Sequence, residues 1–73
     1  MTADQLRIDQ TGKILEILPS PLKLNLMELG FLPGKKITLQ HEAPSGGPKA
    51  FRMEETLLAL RKSEAALIEV ELI

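Results

Sequence analysis

The chain has no cysteine, tryptophan or tyrosine, and only one histidine and two phenylalanines among its 73 residues. Without cysteine a disulfide framework is impossible, and zinc sites built on Cys, or on several His, are excluded. The shortage of aromatics removes two further classes. Polyproline recognition needs an aromatic-lined groove, and single-stranded nucleic-acid binding needs stacking platforms; Phe31 and Phe51 alone supply neither. Charge of one sign is also lacking. Ten acidic side chains face nine basic ones, for a formal net charge of −1, so there is no basic stripe to neutralise phosphates. Lys35-Lys36 and Arg61-Lys62 are isolated pairs of the kind that solvate a surface.

No apolar run approaches the length that crosses a bilayer, and Met1–Gln10 has no basic start followed by an apolar core. The expectation is a cytoplasmic protein without direct membrane insertion, which suits the lack of cysteine. A phosphate-cradling G-x-x-x-x-G-K-[ST] loop is missing as well, since Gly46-Gly47 is not followed by Lys and Ser or Thr.

What is present is a hydrophobic fraction of 44%, ordinary for a folded domain. The length allows one domain, residues 1–73, held together by apolar packing. The polar segment through Gln10 is expected to be frayed or loosely packed. Lys13–Leu18, rich in Ile and Leu and bounded by Gly12 and Pro19, reads as a strand. Ser20-Pro21 then opens a helix, with Ser as cap and Pro preorganised for the first turn. Leu22, Leu26 and Leu29 fall at i, i+4 and i+7, widened by Leu24 and Met27, and are expected to form a buried stripe. Gly30 stops the helix in a left-handed conformation, placing Phe31 to pack back on Leu26.

Pro33-Gly34 is a turn signal. Lys35–His41 alternates, with Ile37 and Leu39 on one face, and Ala43–Lys49 is the strongest loop signal in the chain. Ala50–Glu54 alternates again around Phe51 and Met53, which predicts a hairpin with the preceding strand. Thr56–Arg61 is a further strand. Ser63–Ala66 suits one helical turn capped by Ser63, and Ile68, Val70 and Leu72 alternate in a last strand. The fold class is therefore mainly β. About five short strands, one inserted α-helix and a short helical turn before the last strand suggest a small barrel, because closure removes exposed edges.

Three stretches in order match a known family. Leu26-Met27-Glu28-Leu29-Gly30-Phe31-Leu32-Pro33-Gly34, followed by Ile37, is similar to the L-x-E-L-G-(apolar)-x-P-G signature of FeoA domains. Gly47-Pro48 leads into the Phe51–Met53 strand. Leu58-Ala59-Leu60-Arg61, then Glu64-Ala65, then Ile68 and Val70, resembles that family's closing pattern. The sequence departs from it at Asn25, at Glu54-Glu55-Thr56, and at Pro19 and Pro21. The resemblance implies an SH3-like barrel that acts beside FeoB, a membrane ferrous-iron transporter with a cytosolic GTPase domain. Similar domains also end iron-dependent repressors, but behind a helix-turn-helix domain that this chain lacks. Within the matched motifs Leu26, Leu29, Gly30, Pro33, Gly34, Leu60 and Ala65 carry the structural pattern.

Catalysis would need a base beside a nucleophile. His41 has no such neighbour in sequence, Ser45 lies in the loop, and Glu54, Glu55, Glu69 and Glu71 fall mainly on outward faces, so a non-enzyme is expected. No cofactor is expected either. His41 and Glu42 are the only hint of a weak Fe2+ or other divalent-ion contact, and they define the alternative reading, a small metal-responsive regulator. The main reading is a protein-interaction module acting on the cytosolic part of a FeoB-type transporter. Nucleic acid is not an expected partner, and the oligomeric state is left open. The candidate partner residues are Met27, Phe31 and Leu32, on a helix and exit that carry more apolar residues than one core face needs, together with Arg61. The purified chain is accordingly expected to hydrolyse neither ATP nor GTP above background. Turnover that co-purifies with the wild type and vanishes in a point mutant would contradict this.

Overall fold

The computed structural model describes residues 1–73. The chain runs β1 (Thr11–Ile17), α1 (Lys23–Glu28), β2 (Lys36–Glu42), β3 (Lys49–Met53), β4 (Thr56–Leu60), α2 (Lys62–Ala65) and β5 (Ile68–Leu72). All strand pairings are antiparallel, in the order β4-β3-β2-β1-β5. The expected closure is not complete, since β4 and β5 end the sheet as unpaired neighbours of β3 and β1. Ile37 and Leu39 in β2, Phe51 and Met53 in β3, and Ile68 and Val70 in β5 all point into the core, as their alternation predicts. Leu72 does not, and lies exposed near the end of β5.

Two bulges explain where simple alternation fails. The register of β1 against β5 shifts between Ile14 and Glu16, so Ile14 and Ile17 both face inward while Leu15 faces out. A second shift between Leu39 and His41 leaves both Gln40 and His41 exposed.

The first ten residues are not frayed. Ala3–Gln5 forms a 3₁₀ turn whose Gln5 side chain accepts the Thr2 N–H at 3.0 Å. Ala3 and Leu6 are buried, and Thr2 bridges to Glu69 on the outer edge of β5. The segment is held because two small apolar anchors enter the core between polar neighbours that stay in water.

α1 is shorter than its leucine spacing implies. Ser20 Oγ accepts the Leu22 N–H at 3.1 Å, but Leu22 is only the cap and the helix proper begins at Lys23. Over six residues only Leu26 is buried; Leu22 and Leu29 lie at the helix ends and are exposed, as is Leu24. The expected three-leucine stripe therefore does not exist. At the C-terminal end the stop is as expected. Gly30 has φ +106°, its N–H donates to the Met27 carbonyl, and the Phe31 N–H donates to the Leu26 carbonyl. This is the Schellman arrangement, in which the residue after the glycine meets the helix three positions from its end. Phe31 and Leu26 both join the buried cluster.

Near the C-terminus, α2 is capped at Arg61 rather than Ser63, with Glu64 Oε1 reaching back to the Arg61 N–H at 2.8 Å. Ala65 and Leu60 are buried on either side of that turn. No buried side-chain polar atom lacks a partner.

Gly30→Val forces a β-branched residue into a left-handed backbone, which costs roughly 1–3 kcal/mol. The Met53 methyl group 3.1 Å from the new Cβ can shift, so the cost is expected to come from the backbone. A denaturant melt is expected to move by that amount, and an unchanged midpoint would show that the helix does not stop here.

Candidate functional site

The segment after α1 is built as a rigid turn. Leu32-Pro33-Gly34-Lys35 closes with the Lys35 N–H donating to the Leu32 carbonyl at 3.0 Å, and Gly34 has φ +93°. Pro at the second position and a positive-φ Gly at the third are what a type II turn requires. The turn is then pinned to β1: the Gly34 N–H donates to the Ile14 carbonyl, and the Ile14 N–H to the Lys35 carbonyl, both at 2.8 Å. Leu32 is left 38% exposed on this fixed backbone.

Opposite it lies the β3–β4 turn, Glu54-Glu55, with Glu54 at φ +58°. A hollow of about 270 Å³ separates the two turns. Leu29, Gly30 and Leu32 line it from the helix exit, Met53 and Thr56 from the strands, and Lys35 and Glu54 complete the lining. The Lys35 ammonium donates to the Glu54 carboxylate and spans from one turn to the other. That hydrogen bond, reinforced by the charge of Lys35, holds the Glu54 carboxyl below its usual range. Both partners are well exposed, so the pair fixes geometry more than it adds stability.

The residues singled out from the sequence are distributed unevenly around this hollow. Leu32 lines it. Met27 is half-buried against the core and does not. Phe31 is 0% exposed and offers a partner no surface, a correction that follows from the glycine stop, which turns its ring inward. Arg61 is exposed but lies in a separate depression of about 350 Å³, with Gly46, Gly47, Pro48, Lys62 and Ser63 and no apolar lining. Leu29, Lys35 and Glu54 were not expected as a group. Leu29 alone carried a usable signal: the residue before a helix-stopping glycine is a cap and need not face the core.

His41 is exposed beyond the β2 bulge, and the Glu42 carboxylate accepts a hydrogen bond from Lys49 Nζ at 2.8 Å. Glu42 is therefore matched to an ammonium across the β2–β3 pair. No three His, Asp or Glu side chains come together in a group that could hold a metal ion. No helix is long and apolar enough to cross a membrane.

A single five-stranded sheet, with a helix after its first strand and a helical turn before its last, defines an SH3-like domain. The FeoA domain model matches residues 1–72, and the chain belongs to that family. It is 44% identical over 48 residues to a Porphyromonas gingivalis fusion of Fe(2+) transport protein A with the Fe(2+) transporter FeoB. That match takes in 66% of this chain and 6% of the fusion protein. A FeoA-like protein from Clostridium acetobutylicum has the same fold at TM-score 0.92 and 32% identity, over 100% of this chain and 86% of that one. Stenotrophomonas maltophilia FeoA, an SH3 domain protein solved with zinc, matches at TM-score 0.86 and 26% identity, over 97% and 89% of the two chains.

The Lys35–Glu54 pair gives a pH-dependent test. A carboxyl whose pKa is depressed by folding stabilises the fold above its ordinary range, and that contribution fades as pH falls through the depressed value. Acid should therefore release the clasp. In a carboxyl-detected NMR titration, Lys35→Met is expected to return Glu54 to the usual glutamate range. An unaltered Glu54 titration would show that the pair does not form in solution.

Proposed function

We propose that this chain is a non-catalytic accessory domain of ferrous-iron uptake, working by contact with the cytosolic part of a FeoB-type transporter. Family membership supports the process, and the Porphyromonas gingivalis relative carries a matching segment in one polypeptide with FeoB. A covalent fusion keeps two domains at high effective concentration, as suits domains that must meet.

The observation that carries the contact mechanism is the surface of one segment. Between Leu22 and Leu32, the leucines at 22, 24, 29 and 32 are all exposed. A small domain that had only its own core to fill would not need them there, and an apolar excess at the surface marks an interaction site; of the four, Leu29 and Leu32 share the lining of one hollow. Leu32 is the best anchor among them. Its turn is already fixed by hydrogen bonds to β1, so docking costs little backbone entropy. The hollow beside it can take a partner's apolar side chain, with Lys35 and Glu54 supplying polar contacts.

Leu32→Asp is expected to leave the melting curve in place and weaken binding to the transporter's cytosolic region by about tenfold or more, the scale of a central anchor. NMR titration or calorimetry with the purified domains reads this directly. If the variant unfolds, Leu32 belongs to the core. If it folds and binds as the wild type does, the contact lies elsewhere, and the Pro44–Lys49 loop is the next surface to vary.

A further inference from the structure

The sheet has two edges, and the chain treats them differently. The outer edge of β5 is covered by the chain's own first residues: the Val70 N–H donates to the Met1 carbonyl at 2.8 Å, and Thr2 bridges to Glu69. The outer edge of β4 is bare. Met53 opposite Thr56 closes the two-residue turn, so Thr56, Leu58 and Leu60 direct their backbone groups to β3. Leu57 and Ala59 direct theirs outward, and neither joins any backbone hydrogen bond outside the strand ladders.

Edge strands are usually blunted by a lysine, a proline or a bulge. β4, Thr-Leu-Leu-Ala-Leu, has neither residue and pairs with β3 without a register shift. Leu57 is 54% exposed on it, and Ala59 is exposed as well.

We propose that this edge binds β4 of a second copy of the chain, antiparallel, about a two-fold axis through Leu58. The sequence around the strand is self-complementary in that register. Glu54-Glu55 precedes the apolar stretch and Arg61-Lys62 follows it. Antiparallel pairing centred on Leu58 sets Leu57 of each copy opposite Ala59 of the other, and it brings Glu55, just before the strand, to the end where the other copy's Arg61 leaves it. It also brings the outward N–H and C=O groups of Leu57 and Ala59 together, as a hydrogen-bonded antiparallel pair requires. Slipping the register by two residues keeps the backbone match but carries Glu55 away from Arg61, which leaves its charge unanswered. The only ion pairs within the chain are Lys35–Glu54 and Lys49–Glu42, so Glu55 and Arg61 are free to answer a second copy. Opposite charges across paired strands attract, and like charges directly opposite repel.

The test is a charge exchange. Sedimentation from micromolar to millimolar concentration is expected to show a monomer–dimer equilibrium for the wild type. Over the same range, amide exchange at Leu57 and Ala59 should slow while that at Leu58 stays protected throughout. Glu55→Arg and Arg61→Glu should each weaken the dimer by about tenfold, and the double variant should restore it to within about threefold of wild type. Leu57→Lys, which puts the usual blocking residue on the edge, should abolish the dimer without moving the melt, and stands as a check independent of α2. A wild type that stays monomeric with fast exchange at Leu57 and Ala59 overturns the proposal and leaves the edge to a foreign strand. A double variant as weak as either single overturns the register.

Discussion

The chain reverses direction at Gly30 in a left-handed conformation that only glycine holds without strain, and the placement of both neighbouring side chains follows from that reversal. Phe31 is driven into the core, where full burial of such a side chain contributes about 1.5–3 kcal/mol. Leu29, on the other side of the glycine, is turned away from it and remains exposed. One backbone torsion thus separates a core residue from a surface residue of nearly equal hydrophobicity. The hollow beside Leu32 exists because the chain leaves the helix at this angle and is caught at once by the Pro33-Gly34 turn and the hydrogen bonds to Ile14.

A domain of this size has little interior to spend on specificity. Fourteen hydrophobic residues form its core, and no polar or charged residue joins them. Phe51 from β3 and Phe31 from the helix exit are its largest members. Ala3 and Leu6 belong to the same cluster, and they close it beside α2 and β5. Polar satisfaction is left to the backbone and to short local caps, Gln5 on Thr2 and Glu64 on Arg61.

The strands were legible because alternation survives wherever the register is unbroken, as in Ile37 and Leu39 or Phe51 and Met53. The glycine stop was legible because positive φ leaves few other residues to choose. The helix face was misread. A spacing of i, i+4 and i+7 presumes two turns of helix, whereas α1 has six residues and places Leu22 and Leu29 at its caps. The first ten residues were misread for a different reason. Their polarity hides two small anchors, although Thr2 followed three residues later by Gln5 is the spacing of a capping turn. Of the candidate site, Leu32 could be found because nothing in the helix stop explains it. Lys35 and Glu54 could not, because they meet only once the β3–β4 turn is folded over the helix exit. The bareness of β4 was hidden too, since strand order is a property of the whole sheet.

β1 lies between β2 and β5, and it holds the most distant parts of the chain together. Gly12 faces Leu72, and its missing side chain lets Val70 approach: a Cβ there would meet Val70 Cβ at 2.9 Å. The meander β2-β3-β4, by contrast, is made of two hairpins between near neighbours. Loop-closure entropy favours the hairpins forming early and the β1–β5 pairing late, because only the latter must bring the two ends of the domain together. The same asymmetry ties the two ends of the chain into one core. Ile14, Ile17, Ile68 and Val70 are all buried across that pairing, so a chain shortened at either end would lose core as well as a strand, whereas the meander would keep its own pairing.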